Sequence, residues 1–101
     1  MKKGRPKKIR FVQKEPKIRQ FSPRGKPGRP DEIEIALDEF EAIKLADFEN
    51  LDQAAGALAM GISRASFGRI LRSGRKKIAL ALVSGKIIKI AGGNVQMKEP
   101  A

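Results

Sequence analysis

Five of the six prolines (Pro6, Pro16, Pro23, Pro27 and Pro30) fall within the first 30 residues. Proline fixes φ and removes a backbone donor, so no helix runs through a segment punctuated this often. Helical structure is therefore confined to the chain after residue 30, and residues 1–30 are read as an extended arm. Two pieces of that arm, IRFV at 9–12 and KIRQF at 17–21, carry the β-branched and aromatic residues that pair as strands where an edge is offered.

Charge divides the chain the same way. Residues 1–30 hold twelve Lys or Arg against one acid, residues 31–60 nine acids against Lys44 alone, and residues 61–101 nine bases against Glu99. The net charge of +11 favours an anionic partner. At 101 residues there is room for one small domain and an arm. No apolar run approaches the ~18 residues of a membrane span, and no apolar stretch of signal-peptide type follows the basic N-terminus. No membrane partner is expected, and a cytoplasmic, nucleoid-associated location is. The chain has no Cys and no His, which removes disulfides, thiol nucleophiles, zinc fingers and imidazole bases. A binding protein without cofactor or metal is expected rather than an enzyme.

Three helices are predicted. Asp38, with Glu41 three residues on, has the capping-box spacing for a first helix over about 38–49. Phe40, Ile43, Leu45, Ala46 and Phe48 give it a broad buried face. Asp38, Glu39 and Glu41 lack calcium-loop spacing and read as solvated acids favoured by the helix dipole. Upstream, IEIAL at 33–37 alternates like a short strand. Asp52 caps a second helix, QAAGALAM, that Gly61 ends, and Gly56 and Ala57 let another helix approach closely. Ser63 caps a third over 64 to about 84, ended by Gly85. At 100° per residue Phe67, Ile70, Leu71, Gly74, Ile78, Ala81 and Leu82 share its buried face. Ala65, Arg69, Arg72 and Lys76 line the opposite face, with Ser66 and Ser73 beside them.

Two helices joined by a short glycine turn, the second exposing Arg and Ser, have the outline of a helix-turn-helix. Gln53, Ala57, Gly61, Ile62, Ser63, Phe67 and Ile70 stand where that motif places a polar start, a small packing residue, the turn glycine, an apolar plug, a cap and two anchors. The tight Gly-Ile-Ser corner separates this helix from an ordinary solvated basic surface. It aims the third helix at a major groove, where Arg bonds guanine bidentately. Arg64, Ala65, Ser66, Arg69 and Arg72 are the residues expected at the bases, and Ser63 and Lys76 those expected at phosphates.

The string LDEFEAIKLADFENLDQAAGALAMGISRASFGRILRSGRKKIALALVSGKIIKI, with GRPKK near the start and FSPRG between, resembles the uncharacterised protein family 0251 (domain of unknown function 134) over nearly the whole chain. The resemblance implies a small DNA-binding protein of mostly α fold, with a helix-turn-helix similar to region four of sigma factors and a role in transcription. Some relatives carry Cys residues or resemble fusions to a metal-cofactor-binding domain. The chain departs from the family at Ala54, Ala55 and Leu58, where acidic residues are usual, which offers Leu58 or Met60 to a partner subunit.

The arm motif KKGRPKK resembles the core of an AT-hook, in which Lys3, Arg5, Lys7 and Lys8 follow the negative potential of a narrow minor groove. A general phosphate grip accounts for the same residues more simply. KIIKIAGG, after Gly85, is a strand-like run that can pair with IEIAL or with an arm strand, within one chain or by exchange between two copies, which would make a homodimer.

The expected fold is mostly α: a helix-turn-helix three-helix core over 31–91, a basic extended arm over 1–30 with short β-strands, and a disordered tail over 92–101. The expected function is sequence-specific binding of double-stranded DNA in transcription regulation, with the transcription machinery as a further partner. Two rivals stay open. An RNA-binding or ribosome-associated protein would use the same charge but lacks a stacking platform, since there is no Trp or Tyr. A protein-interaction adaptor would use the acidic first helix.

Overall fold

The computed structural model describes residues 8–25, 28 and 30–98. Its strands are β1 (Arg10–Val12), β2 (Gln20–Phe21), β3 (Glu32–Ile35), β4 (Ile87–Ile90) and β5 (Val95–Met97). The helices are α1 (Leu37–Ile43), which runs on into a π-helical turn over Lys44–Phe48, α2 (Gln53–Met60) and α3 (Arg64–Ser84).

Local chemistry explains the helix ends. The Asp52 carboxylate accepts from Ala55 N at 2.8 Å to open α2, and Ser63 Oγ accepts from Ser66 N at 3.0 Å to open α3. Gly61 and Gly85 close these helices at φ 69° and 64°, where a side chain would be strained. The start of α1 differs from expectation. Ala36, extended at φ −70° and ψ 156°, is its cap residue, and Glu39 reaches back to accept from Ala36 N at 2.9 Å. The N–H of Leu37 is taken by the Gly92 carbonyl at 3.0 Å, so a distant loop sets this junction and draws Asp38 inside the helix.

The sheets correct the mostly α expectation: the fold is mixed α/β, three helices with several short strands. β4 lies between β2, antiparallel to it, and β3, parallel to it. Ile88 is opposite both Phe21 and Ile33. KIIKI therefore pairs with both of its candidate partners within one chain. Parallel neighbours need a long crossover, and here the whole helical segment provides it. β1 and β5 form a separate parallel pair, with Arg10 opposite Val95 and Val12 opposite Met97. The segment expected as a disordered tail thus supplies β5, and the arm supplies β1 and β2.

The core lies among the helices: Ala42, Leu45, Ala57, Met60, Phe67, Ile70 and Leu71 are buried together. Gly56 is where α2 meets α3, since a Cβ there would stand 2.7 Å from Cε1 of the Phe67 ring. At Gly74 a Cβ would stand 2.9 Å from Ile43 Cδ1, which fixes the approach of α1. Val12, Ile35 and Ile90 close the sheet side.

Four expectations about burial are corrected. Phe48 is 80% exposed: it ends the π turn, whose winding departs from the 3.6-residue wheel, and it stands at the surface beside Phe40 and Ile43 rather than in the core. Leu82 is 72% exposed, as the last turn of α3 buries only Ala81. Asp38, Glu39 and Glu41 are buried rather than solvated: Arg10 holds Asp38, Ser73 and Lys77 hold Glu39, and Lys44 with the backbone N of Gln13 holds Glu41. Met60 is wholly buried, so of the two residues offered to a partner only Leu58 is exposed.

Candidate nucleic-acid interface

The outward face of α3 is built from the Ser63 cap onward. Ser63, Arg64, Ala65, Arg69, Arg72 and Lys76 are exposed and Ser66 is half-buried. Ser66 Oγ accepts from Ser63 Oγ and from Arg69 Nη2, each at 3.1 Å, which leaves its own O–H to donate outward. Ala65, exposed and small, leaves the start of the stripe flat.

The basic residues at the edges of α3 are paired, and those on the stripe are not. Arg75 holds Asp47 through two bonds of 2.6 and 3.0 Å, and these hydrogen bonds keep the Asp47 carboxyl below its usual range. Lys77 donates to Glu39 at 2.9 Å. Among the described residues Arg64, Arg69, Arg72 and Lys76 make no ion pair. None of their charges is taken up by an ion pair there.

Beneath the stripe lie the acids of α1. Burial opposes the charge of Glu39, but bonds from Ser73 Oγ (2.5 Å), Lys77 Nζ (2.9 Å) and Ala36 N (2.9 Å) outweigh it and hold the carboxyl below its ordinary value. Glu41 goes the other way. Burial pushes its carboxyl up, and the like charge of Glu49 adds to this, against Lys44 at 3.6 Å and a bond from Gln13 N at 3.3 Å; among the described residues Oε1 has no hydrogen-bond partner.

Sequence reasoning missed Arg10. It pairs with Asp38 at 3.3 Å and, with Arg69, Ser73, Lys77 and Asn94, borders a 320 Å³ cleft beside the stripe. Nothing in the local sequence marks it, because its partner lies 28 residues on and the loop beside it more than 80. Phe11 packs over the turn before α3, where a Cβ on Gly61 would stand 2.9 Å from its ring. β1 is thereby anchored at the corner, and Lys8, exposed, leads into it. Lys3, Arg5 and Lys7 lie outside the described residues. Among the described residues no group of three His, Cys, Asp or Glu is placed to hold a metal, and no helix is long and apolar enough to cross a membrane.

The comparisons with known proteins agree on one family. The family model described as "Protein of unknown function DUF134" matches residues 1–98. A UPF0251 protein of Prosthecochloris aestuarii is 45% identical over 97 residues, covering 95% of this chain and 63% of the relative. A UPF0251 protein of Methanococcus maripaludis strain C7 is 45% identical over 98 residues, covering 96% of this chain and 75% of the relative. One from Chlorobium chlorochromatii is 48% identical over 93 residues, covering 91% of this chain and 52% of the relative. The chain thus spans between about half and three quarters of the length of these relatives. No solved structure matches it. A match of the family model over nearly the whole chain, joined to relatives of this similarity, places the chain in the UPF0251 (DUF134) family.

Proposed function

We propose that the chain binds double-stranded DNA sequence-specifically and regulates transcription by binding rather than catalysis. In this reading α2, the Gly61–Ser63 turn and α3 act as a helix-turn-helix. Arg64, Ala65, Ser66, Arg69 and Arg72 face base edges in the major groove, and Ser63 and Lys76 hold phosphates. The observation that carries the reading is the contrast along α3: the flanking Arg75 and Lys77 are neutralised by Asp47 and Glu39, whereas the stripe between them is left charged and exposed. A helix whose charges served only solubility would have no need of this division. β1 of the basic arm packs at the same corner through Phe11, and in this reading Lys3, Arg5, Lys7 and Lys8 of the arm grip phosphates.

Selection from a random duplex pool, followed by a salt titration on the winning sequence, tests this. An enriched motif is expected, with log K falling against log salt at a slope of roughly −5 for about six neutralised phosphates. Selection that yields no motif, or RNA that competes as well as the selected duplex, would overturn the reading.

A further inference from the structure

Three apolar grooves lie end to end on the face that carries β2, α1 and the last turns of α3. The first runs between Phe40, Ile43 and Phe48, with Lys44 at its rim. The second shares Phe40 and Ile43 and continues over Ile78 and Ile88 to Phe21. The third shares Phe21 and Ile88 and ends at Leu82 and Lys86. Phe48, Leu82 and Phe21 stand on this surface 80%, 72% and 52% exposed. Taking roughly 200 Å² for a large apolar side chain, these three alone show about 400 Å². That is within the range of about 300 to 600 Å² for the largest apolar patch on a monomer, a patch that is often functional.

We propose that a second copy of this chain covers this face, around a two-fold axis that sets the Phe48 end of one copy against the Lys86 end of the other. Two properties of the face favour a second copy. The first is area. A stable homodimer buries about 800 Å² per partner, about 65% of it apolar, or roughly 520 Å². The three exposed side chains supply most of that, and half-buried Phe40, Ile43, Ile78 and Ile88 supply the remainder. The second is charge. Asp47 and Glu49 flank the Phe48 end, each exposed and holding a single basic partner, so each keeps lone pairs for another cation. Lys86 lies at the far end, next to the segment that carries exposed Arg24, and neither makes an ion pair among the described residues. An antiparallel pairing brings these opposite charges together twice. This matters in a chain of net charge +11, where most other contacts between copies would be repulsive. The free edge of β3 is one of those, since its exposed Glu32 and Glu34 oppose strand-to-strand pairing.

The apolar face is also compatible with the basic one. Leu82 and Lys76, six residues apart, stand about 120° apart around α3. A two-fold axis along the direction of the basic stripe therefore leaves both stripes on the same side, with the two α3 helices antiparallel. Only this last consequence rests on the DNA-binding reading, and the test is made without nucleic acid.

Sedimentation equilibrium of the full chain, from micromolar to millimolar concentration, should show reversible dimerisation. Leu82→Asp and Phe48→Asp, both at exposed positions, should each weaken it by about tenfold or more with the circular dichroism melt unchanged. Leu58→Asp, 82% exposed on α2 outside the face, should leave it unaltered. Glu49→Lys and Lys86→Glu should each weaken association, and the double variant should recover it. A chain that stays monomeric throughout overturns the proposal and leaves the face to a different protein. Association that responds to Leu58→Asp but not to Leu82→Asp overturns it in favour of another surface. Charge reversals that fail to compensate overturn the antiparallel pairing.

Discussion

Arg72 and Phe67 are five residues apart in α3, about 140° around the helix, and differ in everything but their helix. Arg72 is exposed and unpaired among the described residues, whereas Phe67 is wholly buried with its ring against Gly56. Arg72→Ala should cost the selected duplex ~1 to 3 kcal/mol of binding while the melting temperature barely moves. Arg69→Ala should do the same with a smaller loss, because part of its guanidinium is already engaged by Ser66. Phe67→Ala should remove ~3 to 5 kcal/mol of stability and lose binding only through unfolding. Melting curves and binding isotherms on the three proteins check this; an early melt for Arg72→Ala would mean that α3 is turned differently.

Between elements, one carboxylate joins α1 to α3. Glu39 receives bonds from Ser73 and Lys77 of α3 while also closing the start of its own helix at Ala36. In the folded protein this carboxyl ionises below its ordinary value of 4.5, so its stabilisation is fully present above that value and fades as pH falls through the lower folded one. Glu41 has the opposite sign. Burial raises it, so its contribution is whole below 4.5 and declines as pH rises through the raised folded value. Glu39→Gln should destabilise the protein by about 2 kcal/mol at neutral pH, and its melting curve should converge on that of the parent as pH drops below 4.5. A deficit that stays constant down to strongly acid pH would show that the charge of Glu39 is not what joins the helices.

At the scale of the whole molecule, β1 and β5 join the segments that precede and follow the helices. Arg10 N donates to the Asn94 carbonyl at 3.0 Å, Lys98 N donates to the Val12 carbonyl at 2.7 Å, and Val12 is completely buried. Deleting residues 94–101 removes both bonds together with the β1–β5 pairing, in which buried Val12 stands opposite Met97. With about 1 kcal/mol for each of these two bonds and a similar amount for lost apolar burial at the pair, the cost is about 3 kcal/mol or more. The truncated chain should melt roughly 10 to 25 °C lower in calorimetry, as a loss of about 3 kcal/mol implies for a domain of this size. An unchanged melting temperature would show that β1 and β5 add nothing to the fold.

Caps and stops act over three or four residues, which is why Asp52, Ser63, Gly61 and Gly85 could be read directly as helix ends, and why the stripe of Arg69, Arg72 and Lys76 is visible as a spacing. The strands were legible as segments but not as pairs. Whether Ile87–Ile90 meets β2, β3 or both depends on which edges the helical crossover brings together, and it brings both. The burial of Asp38 and Glu39 leaves no local signal because their partners Arg10, Ser73 and Lys77 are 28 to 38 residues away. A helical wheel of 3.6 residues per turn does not place Phe48, because the turn it belongs to is wider. Local hydrogen bonding and helical periodicity are properties of short stretches of chain. Burial and ion pairing depend on which distant residues the fold delivers to the same place, and that is settled only when the helices close on the sheet.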